Sequence, residues 1–208
     1  MRIVLASGNR NKRDEILAIL EGLAVDLVPM TELGLVGPEE TGETFEDNAL
    51  LKARAVVAAT GEPAIADDSG LEVDALDGAP GVRSARYAGP SATDAENNAA
   101  LLAALATVPA EQRTARFVCA AALVVPDGRE WVVRGTMEGR IVETARGRNG
   151  FGYDPHFVAT GEQRTNAELT PREKDARSHR GAAFRALRPR VEAWTGRSSA
   201  DGEVRPDA

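Results

Sequence analysis

Two adjacent aspartates, Asp67 and Asp68, close a short apolar run in the stretch AIADDSGLEV. Carboxylates placed there repel one another and lose hydration unless a cation offsets both. Mg2+ with hard oxygen ligands, bridging to substrate phosphates, is the usual offset. One carboxylate of such a pair can hold the metal while the other takes a proton from water. Neighbouring strand side chains point to opposite faces, so both aspartates can serve one site only if the strand ends and the backbone turns. Ser69-Gly70 is expected to supply that turn. A plain turn with two exposed aspartates is the competing reading, although loops at strand ends commonly carry ligands in α/β sheets.

Four other stretches offer complementary chemistry. SGNRNK, Ser7, Gly8, Asn9, Arg10, Asn11 and Lys12, follows one apolar run and opens another. At such a place backbone N–H groups and the helix dipole face an anion, and Lys12 adds a full charge. It lacks the Walker pattern, and an ordinary capped helix explains it equally well. GPEETGETFEDNALLKARA gathers acidic residues around a helix start, where most complement the dipole. Glu40, in the loop, is the exception expected to serve as a metal ligand. Asn48 and Lys52 stand four apart on one helix face. In GRNGFGYDP, glycines let the backbone approach a flat ligand, with Phe151 or Tyr153 available to stack; a loop anchored by its aromatics is the alternative. REKDARSHRGAAF collects Lys174, Arg177, His179 and Arg180, which suit an oxygen-rich ligand better than zinc, although His179 could simply cap a helix. His156 has no companion ligand and reads as structural. Only Lys12, Lys52 and Lys174 are lysine among 25 basic residues, and all three fall in these stretches. An ammonium is a compact point charge that a guanidinium fork does not replace at a phosphate.

The elements that must position these groups are legible in outline. Residues 2–6 read as a strand and 14–23 as a helix with Ile16, Ile19, Leu20 and Leu23 on one face. Residues 44–60 read as a second helix, Thr44 and Asp47 resembling a capping box, with Phe45, Ala49, Leu50, Ala53, Val56 and Val57 inward. Residues 93–108 make a third, whose core contacts are Leu101, Leu102 and Leu105. Residues 116–125 and 130–136 form a hairpin across Pro126-Asp127-Gly128-Arg129, and 139–144 add another strand. A final helix covers 178–194, ended or kinked by Pro189. Residues 196–208 are polar, without apolar period, and are expected to be a disordered tail beyond one two-lobed domain of residues 1–195. The pattern predicts an α/β fold with a long mixed sheet, the hairpin contributing to a second lobe across a cleft.

At 208 residues, 43% hydrophobic and 27% charged, the chain has the composition of a soluble globular protein. No apolar stretch approaches the roughly 18 residues of a spanning helix, and the first apolar run is too short for a secretory signal. A cytoplasmic location and no membrane partner are expected. A net charge of -7 opposes non-specific nucleic-acid binding, while leaving room for a small anion held by local cations. Cys119 is the only cysteine and reads as packing.

Taken together, the stretches SGNRNKRDEI, EETGETFEDNALLKARA, PAIADDSGLEVDALDGAPGVRSARYAG, GRNGFGYDPHF and ELTPREKDARSHRGAA, in that order, resemble the inosine triphosphate pyrophosphatase family over about residues 1–194. The resemblance implies an elongated α/β fold with two lobes, a homodimer, Mg2+ dependence, and cleavage of ITP, dITP and XTP to monophosphate and pyrophosphate. It places Ser7 to Lys12 at the phosphates, with Ser7 where threonine is common and Asn11 where small residues are common. Asp68 matches the proton acceptor and metal position, with Asp67 and Glu40 beside it, and Lys52 and Ser69 are expected to contact substrate. Phe151, Gly152, Tyr153, Asp154, Lys174, His179 and Arg180 match nucleoside-binding positions.

Three rival readings are weaker. A phosphoribosyltransferase needs a phosphate loop soon after its acidic pair, and GLEVDALDG does not supply one. Maf-like pyrophosphatases carry a serine-proline-arginine first loop, absent here. A purine nucleotide sensor without turnover is separated from an enzyme only by a hydrolysis assay.

Overall fold

The computed structural model describes residues 1–200, with side chains described to residue 196. Six strands form one mixed sheet in the order β2-β1-β3-β4-β5-β6. The apolar run Arg2–Leu5 is β1, and it pairs in parallel with both β2 (Asp26–Pro29) and β3 (Ala64–Val73). The remaining pairs, β3 with β4 (Thr114–Val124), β4 with β5 (Glu130–Ile141) and β5 with β6 (Phe157–Ala159), are antiparallel. The expected separate strand at 139–144 is instead the end of β5, which runs unbroken to Ile141. Gly128, at φ 88°, makes the turn between β4 and β5.

Helices cover both faces. The first, α1 (Arg10–Ile19), begins four residues before the expected start because the Asn9 side chain caps it, accepting a bond from the Lys12 backbone N–H. On the other face lies α2 (Phe45–Thr60), capped by Thr44 as expected; the return bond from Thr44 runs hydroxyl to carboxylate with Asp47. Thr93 caps α3 (Asp94–Ala104) with a full capping box to Glu96. A short α4 (Pro171–Arg177), capped by Thr170 with Glu173, precedes α5 (His179–Ala200). The last helix continues through Pro189, which lies inside it, and past the expected end at Trp194. Of the expected tail, residues 201–208 lie outside the described residues.

One apolar core joins α1 and α5 to the sheet through Ile3, Leu5, Ile16, Ile65, Phe184 and Leu187. A second packs α2 on the opposite face through Val4, Ala49, Ala53, Ala66 and Val118. A third, around Leu71, Leu101, Leu105, Phe117 and Phe157, fills the far end of the sheet. Alternation along β3 and β4 divides the first two cores, since Ile65 and Cys119 face one way and Ala66 and Ala120 the other.

The aspartate strand differs from expectation in an instructive way. It does not turn at Ser69-Gly70, because β3 pairs with β4 along all its residues from Ala64 to Val73. The strand that ends is β1: it meets β3 only at Ala64 and Ile65, and its last bond runs from Ala6 N to Ile65 O at 2.7 Å. Beyond Ile65 one edge of β3 is therefore open. Asp67 and Asp68 leave opposite faces of the strand beside that same edge, so a single cleft can meet both.

The start of α5 rests directly on β5. A Cβ built on Gly135 lies 2.3 Å from His179 O and 2.5 Å from Ala183 N, both backbone atoms that cannot move alone. Gly135→Ala is therefore expected to destabilise the fold by about 1–3 kcal/mol through overpacking, read as a lower denaturant midpoint. An unchanged midpoint would show that α5 is free to shift.

Candidate active site

Along the open edge of β3 lies a cleft of about 410 Å³, reaching from the loop after β1 to the start of α5. Its wall includes Ser7, Gly8, Asn9, Lys12, Glu40, Lys52, Asp67, Asp68, Ser69, Phe151, Gly152, Tyr153, Asp154, Lys174, His179 and Arg180. Of the residues singled out in the sequence, Arg10 is exposed and does not line it. Asn11 lines a neighbouring hollow of about 290 Å³ instead. Both point away because α1 begins at Arg10, so successive side chains fan around a helix rather than along a loop.

The two aspartates occupy different environments. Asp67 is fully buried on the α5 face. Its Oδ2 lies 3.4 Å from Lys12 Nζ, 3.4 Å from Arg180 Nε and 3.3 Å from Ser69 Oγ, while Oδ1 has no hydrogen-bond partner. Burial opposes its charge, but Lys12, Arg180 and Lys52 outweigh burial and hold the carboxyl well below the usual range. Asp68, on the α2 face, accepts from Lys52 Nζ at 3.1 Å and Asn48 Nδ2 at 3.2 Å. There burial dominates over Lys52 and Lys12, and the carboxyl is raised. Lys52 also reaches Glu40 Oε1 at 2.8 Å, so its ammonium stands between Glu40 and Asp68. Among the described residues no group of three or more His, Cys, Asp or Glu side chains is arranged to hold a metal ion.

At the other end, Lys174 Nζ contacts Asp154 Oδ2 at 2.6 Å and Glu15 Oε1 at 3.0 Å. Arg180, entirely buried, bonds Glu15, Asp67 and, at 2.8 Å, Ser69 Oγ. Its guanidinium is thus committed to the protein. His179 is not a helix cap: its buried Nδ1 has no partner, and its ring stacks on Phe117 with centroids 4.9 Å apart. Burial, reinforced by Arg180 and Lys174, pushes its pKa well below the ordinary value, so the ring is neutral. The two loop aromatics divide the alternatives read in the sequence. Tyr153 anchors the loop, its hydroxyl donating to Ser84 O at 2.8 Å, whereas half-buried Phe151 faces the cleft 4.9 Å beneath Lys174 Nζ. Arg177 pairs with Glu162 outside the cleft, and His156 is buried against Val142 O as structure. Cys119 packs in the core with Sγ 4.0 Å from Asp67.

Sequence reasoning missed Glu15, the shared counter-ion of Lys174 and Arg180. Its spacing of three from Lys12 on an early-starting α1 was the available signal. Apolar wall residues such as Met30, Val82 and Phe117 left none.

These features define an α/β protein whose mixed sheet opens an anion-attracting, carboxylate-bearing cleft where one parallel strand stops short. The Ham1 family model matches residues 3–190, and the chain belongs to that family. It is 56% identical over 194 residues to the dITP/XTP pyrophosphatase of Frankia alni, covering 90% of this chain and 95% of that one. The structure of a HAM1 protein from Coxiella burnetii superposes with a TM-score of 0.85 at 46% identity, covering 92% and 98%. The nucleoside-triphosphatase / dITP/XTP pyrophosphatase structure from Mycobacterium abscessus gives 0.75 at 52% identity, covering 92% and 100%.

Proposed function

We propose that this chain hydrolyses non-standard purine nucleoside triphosphates, ITP, dITP and XTP, to monophosphate and pyrophosphate. The observation that carries the reading is Asp68: a buried, raised carboxyl at the open edge of β3, held by Lys52 and Asn48 inside a cleft that also receives the start of α1. A carboxylate made more basic is the group suited to take a proton from water. The attacking water gives its proton to Asp68 as its oxygen joins the α-phosphorus. The bond from that phosphorus to the bridging oxygen then breaks, and pyrophosphate leaves. The Lys12 ammonium and the N–H groups between Gly8 and Asn11 offset charge on the departing oxygens. Asp67, held ionised by Lys12 and Arg180, keeps those cations in place.

The donors present fit a hard divalent cation. Glu40 and Asp68 would supply two carboxylate oxygens, now bridged by Lys52 Nζ, and with no third acidic ligand grouped beside them among the described residues, substrate phosphate oxygens would complete the Mg2+ shell. Bound there, Mg2+ would neutralise phosphate charge and polarise the phosphoryl group. Glu40→Gln is expected to raise the Mg2+ concentration needed for half-maximal activity at least about ten-fold, the low end of what losing even an outer partner of a metal ligand costs. An unchanged Mg2+ requirement would remove Glu40 from the set.

The test is hydrolysis of ITP, XTP, dITP, ATP and GTP with Mg2+, scoring pyrophosphate separately from orthophosphate. Pyrophosphate release confined to the first three supports the proposal. Orthophosphate release, or bound nucleotide without turnover, replaces it with another phosphohydrolase or a sensor.

A further inference from the structure

The N-terminal turn of α3 reaches across the fold to one residue of the glycine loop. Asp94 Oδ2 accepts from Gly152 N at 2.7 Å, and Asn98 Nδ2 donates to Gly152 O at 2.8 Å. Both main-chain polar groups of a single glycine are thereby held by side chains 58 and 54 residues earlier in the chain. Gly152 itself sits at φ +62°, a left-handed conformation that other residues adopt at a cost.

Helix capping does not account for this pair. Thr93 and Glu96 already complete the capping box of α3, and the Asp94 carboxylate points to the loop rather than to its own helix. Asn98 shares its Nδ2 with Asp94 O, while its buried Oδ1 has no partner. A buried, half-satisfied amide costs free energy, so its donor must return something. What lies beside Gly152 is Phe151, the cleft's one open loop aromatic, with Lys174 and Arg180 over its ring. The intervening Asn97 ties the same turn to residues 85–88, bonding Ala88 N at 2.9 Å and Ala85 O at 3.2 Å.

We infer that Asp94 and Asn98 are positioning residues for the base end of the cleft: by clamping Gly152 they fix Phe151 as a stacking wall for the purine. The inference rests on the nucleotide reading given above and extends it to Asn98, which stands outside the cleft lining, and to Asp94, which lines the cleft but spends its carboxylate on Gly152 N. Base stacking loses its value if the ring must first be ordered on binding.

The experiment compares Asp94→Ala, Asn98→Ala, the double variant and the conservative Asp94→Asn. Calorimetry measures ITP and inorganic pyrophosphate binding, alongside steady-state kinetics and thermal melting. Each alanine variant is expected to weaken ITP binding about ten-fold and raise KM, with kcat within about two-fold. Pyrophosphate, which meets only the phosphate end, should bind as before. Because both residues hold one glycine, the double variant should lose little more than either single. Asp94→Asn keeps an acceptor for Gly152 N and should restore most of the affinity. Equal weakening of ITP and pyrophosphate would mark a general structural role, and unchanged ITP affinity would end the assignment. If the unaltered protein binds no purine triphosphate, it is the functional reading that fails; if it binds ITP and the variants match it, only this inference fails.

Discussion

Asp68→Asn is expected to lower ITP turnover by about 10²–10⁴-fold, the contribution of a positioned general base, with the fold intact. The amide keeps the size of the carboxyl and can still accept from Lys52, which retains Glu40 as a counter-ion. The sign of the stability effect follows from the raised carboxyl. Its ionised form is less favourable in the fold than in the unfolded chain, so above the ordinary value of 3.8 it subtracts from stability. Removing that charge should leave the melting temperature at neutral pH unchanged or higher. Asp67→Asn should behave in the opposite way. Its depressed carboxyl contributes stability above 3.8 that is lost as pH falls, and removing it leaves buried Arg180 with Glu15 alone. A loss on the order of 3 kcal/mol is expected, as for other broken buried pairs. Retained turnover in Asp68→Asn, or an equal loss of stability in both variants, would overturn this division of roles.

That division was not legible in the sequence, although the pair itself was. AIADDSGLEV announced two charges in an apolar run, and only the length of the neighbouring strand decides how both reach one cleft. Nothing local in Arg2–Leu5 states that β1 stops two residues into its pairing with β3. Elements with strong periodicity were readable: α2, α3 and the β4–β5 hairpin lie near their expected places. Short elements were not, since Asp26–Pro29 and Phe157–Ala159 have too few residues to show alternation. The helix α4 did carry a signal, Thr170-Pro171 followed by Glu173, which marks a capped start with proline at N1. In the site, residue types drew attention to the lysines, but partners such as Glu15 and Asn98 are ordinary helix residues until the fold brings them against cleft-lining groups.

The structure also narrows which donor can read the base. The resemblance put Lys174, His179 and Arg180 at nucleoside-binding positions, where a donor would meet the oxygen at purine position 6. Arg180 is occupied by Glu15, Asp67 and Ser69, and Lys174 by Asp154 and Glu15, leaving His179 with the unpartnered nitrogen. Its neutral ring offers one N–H and one lone pair. The flanking cations favour a ligand that presents oxygen toward them and disfavour the amino group of adenine, whose N–H dipoles point positive. A site built around such a bond can reject the analogue lacking it by 10⁴ or more. His179→Phe keeps a ring to stack on Phe117 and removes both nitrogens. The ratio of kcat/KM for ITP over ATP is therefore expected to fall by about 10²-fold, through loss of ITP rather than gain of ATP, with the cations preserving the remainder. Because the ring titrates well below 6.5, discrimination by the unaltered protein should stay flat as pH rises from that value. An unchanged ITP to ATP ratio in His179→Phe would move base selection onto the Phe151 loop, where the Asp94 and Asn98 variants already provide the next measurement.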